Sequence, residues 1–160
     1  MSEFQIRRAE VADVTSIAVL GTQVWLDTYT KGVSALCADF VLQEFAVAQM
    51  SERIHKEVCW VAVRNELLLA YLFVDPIDTA PWGAEVSQLY VQAQCQGQGV
   101  GAALLNVAKQ AFPQFWLSVN CANEKAIQFY RQQGLQQVGE TDFMLGEQCH
   151  KNFVFALGLS

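Results

Sequence analysis

The spacing of apolar positions changes along the chain, and each change marks an element. Phe4 and Ile6 alternate with polar neighbours, the two-residue period of a half-buried strand. Val11, Val14, Ile17, Ala18, Val24 and Trp25 then recur at helical spacing, and a second helical stretch runs roughly from Ser34 to His55. The runs "VCWVAVR" and "LLLAYLFVD", separated by Asn65-Glu66, predict an antiparallel hairpin. "AEVSQLYV" is a further strand after a loop carrying Pro76, Pro81 and Gly83. A glycine-rich segment opens a helix to about Phe112, and "FWLSV" is a short buried strand. "NEKAIQFYRQQG" predicts a short helix with Asn123 as N-cap, Glu124 favourable to the dipole and Gly134 as the left-handed stop. Strands around 135–143 and 150–157 follow.

The resulting order, β α α β β β α β α β β, is neither all-antiparallel nor simply alternating. It predicts an α/β fold with a mixed sheet and helices on its faces. With 160 residues, 52% of them hydrophobic, and no repeat, low-complexity tract or linker, the expectation is one domain over residues 1–160.

Composition narrows the partners. Sixteen acidic side chains against ten basic ones give a formal charge of −6, which disfavours nucleic acid and anionic membrane surfaces and suits a small cationic partner. Five cysteines without a CxxC pair read as reduced, mostly buried thiols, and no metal site is expected from them. The polar start "MSEFQIRRAE" lacks the apolar stretch of a signal peptide, and "LLLAYLFV" is too short to span a bilayer, so a cytoplasmic protein is expected.

The segment "VQAQCQGQGVGAALL" places Gly97, Gly99 and Gly101 at the start of a helix. Peptide N–H groups unobstructed by Cβ atoms, at the positive end of a helix dipole, make a concave anion site, and phosphate is its natural occupant. Gly97-x-Gly99-x-x-Ala102 also satisfies the dinucleotide fingerprint, but that reading needs an acidic residue about twenty positions on. The chain offers Ser118, Val119 and Asn120 there, and no Gly-Lys-Ser/Thr follows to make a nucleoside triphosphate loop. Close helix-to-strand packing is the remaining use for such glycines.

Two segments together resemble the GCN5-related N-acetyltransferase (GNAT) superfamily. Its acetyl-coenzyme A loop carries (Arg/Gln)-x-x-Gly-x-(Gly/Ala), here Gln94, Gly97 and Gly99. A later helix of the pattern Asn-x-x-Ala-x-x-Phe-Tyr-x-x-x-Gly is matched by Asn123, Ala126, Phe129, Tyr130 and Gly134. The resemblance implies a mostly antiparallel sheet splayed between the fourth and fifth strands. It implies acetyl-CoA as cosubstrate, with Gln94, Gln96, Gly97, Gln98, Gly99, Val100 and Gly101 at the pyrophosphate. It further implies that the backbone of Leu89 and Val91 holds the pantetheine arm and acetyl oxygen, and that Asn123 contacts the cofactor while capping its helix. The family often has Lys or Arg in the loop; Gln96 and Gln98 leave this one without formal charge.

An amine acceptor of pKa about 10.4 must lose a proton before it can attack, at a cost of about 4.6 kcal/mol at pH 7. By resemblance Glu85 is the general base, acting through water, and Tyr130 is the general acid for the departing sulfur. Asp27 and Asp142 are secondary carboxylates, and Trp25 to Tyr29 flank the acceptor site. His55 and His150 have no metal-ligand company in the sequence and read as surface or structural residues. The apolar "FVFALGL" fits deep burial or a homodimer contact. The expected activity is transfer of acetyl to a primary amine, on a small molecule or a protein or peptide, by direct attack in a ternary complex. A non-catalytic acyl-CoA sensor is the alternative, needing the loop but neither Glu85 nor Tyr130.

Overall fold

The computed structural model describes residues 3–158. Its elements are β1 (Gln5–Arg8), α1 (Val14–Tyr29), α2 (Ala35–Glu44), α3 (Val47–Lys56), β2 (Val58–Arg64), β3 (Leu67–Ala80), β4 (Gly83–Val91), α4 (Val100–Ala111), β5 (Phe115–Asn120), α5 (Glu124–Gln132), β6 (Gln136–Leu145) and β7 (Gln148–Leu157). The strands form one sheet in the order β1-β2-β3-β4-β5-β7-β6. All neighbours are antiparallel except β4 and β5, which are parallel.

Alternation along the strands divides the core between the two faces of the sheet. Trp60, Ala62, Leu72 and Val74 point to the face covered by α4 and α5, where Val100, Leu104, Leu105, Ala108 and Ile127 pack. Val61, Tyr71 and Phe73 point to the opposite face, where Ile17, Val24, Trp25, Val41 and Met50 of the first three helices pack. β7, central between β5 and β6, carries Val154, Phe155 and Ala156, all buried, so this part of the apolar C-terminal run is buried within the chain, while Leu159 lies outside the described residues.

Three local features depart from the sequence expectation. The helical stretch 34–55 is divided at Phe45 and Ala46 into α2 and α3. On a straight helix Val41 and Met50, nine residues apart, would face about half a turn away from each other. The break, with Phe45 at φ −107°, ψ 18° and Ala46 extended at φ −60°, ψ 143°, brings both to one core. Pro76 lies within β3, not in a loop, where the β3–β4 ladder lapses between Asp75 and Ala80 and no N–H donor is needed. Only Cys59 and Cys95 are buried; Cys121 and Cys149 are exposed and Cys37 is intermediate. The Asn65-Glu66 turn is as expected, with both residues at positive φ (50° and 68°), the signature of a type I′ hairpin.

Candidate active site

β4 and β5 pair only at Ala84 with Phe115 and Glu85 with Trp116. Beyond that point each continues with its other neighbour, β4 against β3 as far as Val91 and β5 against β7 as far as Asn120. A wedge therefore opens between them, and the β4 stretch carrying Leu89 and Val91 runs along it without a β5 partner. Its direction is set by a bulge: Val74 pairs with Val86 and Phe73 with Gln88, leaving Ser87 as the extra residue. Adjacent residues of a regular strand face opposite ways; here Ser87 and Gln88 both line one cavity.

The glycine segment follows the free end of β4. Gly97 and Gly99 adopt φ of 82° and 83°, and a methyl group added at either would meet no atom within 4 Å. Gly101 differs, since a Cβ there would lie 3.3 Å from Val91 and 3.5 Å from Phe129; it serves close packing of α4. Gly99 caps α4 without any side-chain acceptor, and Ala103 N–H is the first to bond back, to the Gly99 carbonyl at 3.0 Å. The preceding donors at the start of α4 thus have no intrahelical acceptor. The glutamines brace the loop: Gln98 Nε2 donates to the Gln94 carbonyl at 3.2 Å and Gln96 Nε2 to the Val91 carbonyl at 3.3 Å. The missing charge comes from α5, where Lys125 Nζ donates to Gln96 Oε1 at 3.0 Å.

Asn123 caps α5, its Oδ1 accepting from Ala126 N–H at 3.2 Å, while the Tyr29 hydroxyl at the end of α1 faces its side chain. Tyr130, two turns along α5, packs against Phe129 and Phe155 with ring centroids 5.4 and 6.5 Å away. Burial, then the neighbouring Tyr29, pushes its hydroxyl above the ordinary tyrosine range, so it stays protonated. The hydroxyl makes no hydrogen bond among the described residues.

On the α1–α3 face the wedge opens into a cavity of about 610 Å³. Trp25, Tyr29, Phe40, Tyr90 and Phe143 supply aromatic walls, Ser87 and Gln88 the β4 side, Ser118 and Asn120 the β5 side, and His150 the rim. A polar chain runs behind it. Tyr71 donates to Gln88 Oε1 at 2.8 Å, Gln88 Nε2 donates to Glu44 at 3.2 Å, and Arg53 reaches Glu44 at 3.6 Å and Glu57 at 2.9 Å. Ser87 Oγ donates to Glu57 at 2.5 Å. Burial raises the Glu57 carboxyl above the ordinary range, opposed by Ser87 and Arg53.

Glu85 pairs with Asp75 across the β3–β4 ladder at the root of the wedge, and it is not among the cavity-lining residues. Burial raises its carboxyl, and the charges of Asp75 and Glu57 raise it further. The structure thus gathers Leu89, Val91, Gln94, Gln96, Gly97, Gln98, Gly99, Val100 and Asn123 around the wedge. It leaves Glu85 behind the cavity and assigns Gly101 to packing. Asp27 borders a separate groove between α1 and the α2–α3 junction. Sequence reasoning missed Glu44, Ser87, Gln88 and Lys125 and set His150 aside. The adjacent polar pair Ser87-Gln88, which breaks the alternation of β4, was the available signal.

Comparison with known proteins gives the class. The sequence model of the acetyltransferase (GNAT) family matches residues 23–135. Among solved structures, the PaiA N-acetyltransferase of Thermoplasma acidophilum in complex with coenzyme A aligns with TM-score 0.82 at 17% identity, over 97% of this chain and 98% of that one. YjaB of Escherichia coli, in its apo form, aligns with TM-score 0.72 at 18% identity, over 97% of each chain. A ribosomal-protein-alanine N-acetyltransferase of Brucella melitensis aligns with TM-score 0.65 at 17% identity, over 95% and 98%. The chain belongs to the GNAT acetyltransferase family, and its seven-stranded sheet has the fold expected from the sequence. It is an acetyl-CoA-dependent acetyltransferase. No helix among the described residues is long and apolar enough to cross a membrane.

Proposed function

We propose that the protein transfers acetyl from acetyl-CoA to a primary amine by direct attack within a ternary complex. The observation that carries this reading is the wedge with two approaches. On one face lies an uncapped helix start with two open, left-handed glycines; on the other lies a cavity of about 610 Å³ that reaches the same strands. Two substrates meeting between β4 and β5 need both.

The residues divide the work as follows. The N–H groups at Gly97 to Val100, with Lys125 beside them, hold the pyrophosphate of acetyl-CoA. The free edge of β4 at Leu89 and Val91 holds the pantetheine arm and presents an N–H to the carbonyl oxygen, a contact worth about 3 to 4 kcal/mol where it tightens on the oxyanion. The Asn123 side chain borders the thioester end. An acceptor ammonium in the cavity loses one proton to the Glu85 carboxylate, with Glu57 as the alternative acceptor. Because Glu85 does not line the cavity, that proton passes through water or the Ser87 hydroxyl, which lines the cavity and donates to Glu57. The nitrogen lone pair attacks the thioester carbon, the C–S bond breaks and the sulfur takes the Tyr130 hydroxyl proton; the acetylated nitrogen releases its second proton to water, and Tyr130 regains one from water.

The test is turnover with a panel of primary amines, following release of the CoA thiol and the mass of the acetylated product. Acetylated amine and free CoA in equal amounts are expected. Acetyl-CoA binding by calorimetry with no product from any amine would establish the sensor alternative.

A further inference from the structure

Among the described residues whose side chains line the cavity, Glu44 is the only carboxylate, and none is a lysine or arginine. We infer that the acceptor is an apolar-bodied primary amine without a carboxylate, whose ammonium group is held by Glu44 against the aromatic wall. This rests on the acetyltransferase reading and specifies its second substrate.

The charge around Glu44 is incompletely balanced. The nearest cation, Arg53, places Nε 2.9 Å from Glu57 and Nη2 only 3.6 Å from Glu44, so one guanidinium serves two carboxylates and favours the other. The Arg53 side chain is 18% exposed and does not line the cavity. Gln88 and Arg53 both approach Glu44 Oε1; Oε2 makes no hydrogen bond among the described residues. A carboxylate held by one oxygen from behind, with the other free beside a cavity, is arranged to take a cation.

The walls agree with a cation on an apolar body. Trp25 and Phe40 lie with centroids 5.0 Å apart, Phe40 and Phe143 5.4 Å apart edge to face, and Trp25 and Tyr29 5.5 Å apart, a continuous aromatic surface. Ring faces attract an ammonium and give apolar contact to the carbon skeleton. A substrate carboxylate would find no lysine or arginine among the described cavity-lining residues to pair with and would face Glu44 besides, so its desolvation would go uncompensated. Free amino acids are thereby rejected. The hydrogen bond from Gln88 ties Glu44 to the strand that borders the wedge.

Steady-state kinetics with 2-phenylethylamine and L-phenylalanine, which differ by one carboxylate, test this directly. We expect kcat/KM for 2-phenylethylamine to be at least about a hundredfold higher. Glu44→Gln should raise the amine KM about ten- to a hundredfold with kcat and the acetyl-CoA KM little changed, and Glu44→Asp should recover part of the loss. Calorimetry of 2-phenylethylamine with the CoA-loaded protein should show the same weakening without reference to turnover. Equal use of phenylalanine, turnover of polar or anionic amines but not 2-phenylethylamine, or an unchanged amine KM in folded Glu44→Gln would overturn the inference and leave acetyl transfer standing. Acetyl-CoA binding with no amine turned over would remove both.

Discussion

Lys125 Nζ lies 3.0 Å from Gln96 Oε1, placing the first residue pair of α5 over a loop that comes 29 positions earlier and has no charge of its own. The contact is exposed, and as a neutral-acceptor hydrogen bond at the surface it contributes little to folding. Its value is position, because a cation at the rim of a helix start adds to the dipole that attracts phosphate.

Lys125→Met should therefore weaken CoA binding about three- to tenfold while leaving thermal stability unchanged. Lys125→Arg should retain most of the affinity. Calorimetry at low and high salt is the measurement: the gap between wild type and Lys125→Met should narrow as salt rises, since the attraction is screened. A gap that is absent at low salt would show that Lys125 only braces Gln96.

Gly99 and Gly101 separate binding from packing. At Gly99, φ is 83° and the space beyond is open, so Gly99→Asp costs about 1 to 2 kcal/mol of backbone strain but brings a negative charge against the anion site. Acetyl-CoA binding should be lost with the fold retained. Gly101→Ala puts a methyl 3.3 Å from Val91 Cγ2 and should instead lower the melting temperature with a smaller effect on CoA affinity. Calorimetry and thermal denaturation of the two variants distinguish these roles; unchanged affinity in folded Gly99→Asp defeats the phosphate assignment.

Glu85 carries opposite predictions for stability and rate. Its folded carboxyl is raised first by burial and then by Asp75 and Glu57, so the folded state favours the protonated form. Its contribution to stability is complete below the ordinary glutamate range and is lost as pH rises through the raised value. Glu85→Gln should thus melt higher than wild type at pH 7 to 8, the gain vanishing on acidification. The same variant should lose about 10² in kcat/KM, and the acid limb of the wild-type profile should lie above the ordinary carboxylate range. A folded variant with an undiminished rate would send the proton to Glu57 by way of Ser87.

How much of this was legible beforehand depended on sequence distance. The glycine loop and the Asn123 to Gly134 helix are contiguous patterns whose residues act where they stand, so the sequence displays them. The Val41 to Met50 helix break has no Pro or Gly to announce it, and only the angular mismatch of its two buried residues betrays it. The bulge at Ser87 has no Pro or Gly to announce it either; only the adjacent polar pair Ser87-Gln88 hints at it, and without it Gln88 reads as the wrong face of β4. Glu44 and Lys125 acquire their roles from partners 44 and 29 positions away, which topology alone brings together.

Tyr130→Phe removes one hydroxyl and keeps the ring that packs against Phe129 and Phe155. The hydroxyl is pushed above the usual tyrosine range by burial and by Tyr29, so it holds its proton through the whole working pH range. Since it has no hydrogen-bond acceptor among the described residues, deleting it leaves no partner unsatisfied and should not destabilise the fold. A CoA thiolate, of pKa about 8.5, is a fair leaving group unaided, so the acid helps the reaction without being indispensable. The expected loss is about 10² to 10³ in kcat, with acetyl-CoA affinity little changed because the phosphate grip lies at Gly97 to Val100. Rapid-quench measurement of the chemical step in Tyr130→Phe decides the matter: a rate within about twofold of wild type would make Tyr130 a packing residue and water the proton source.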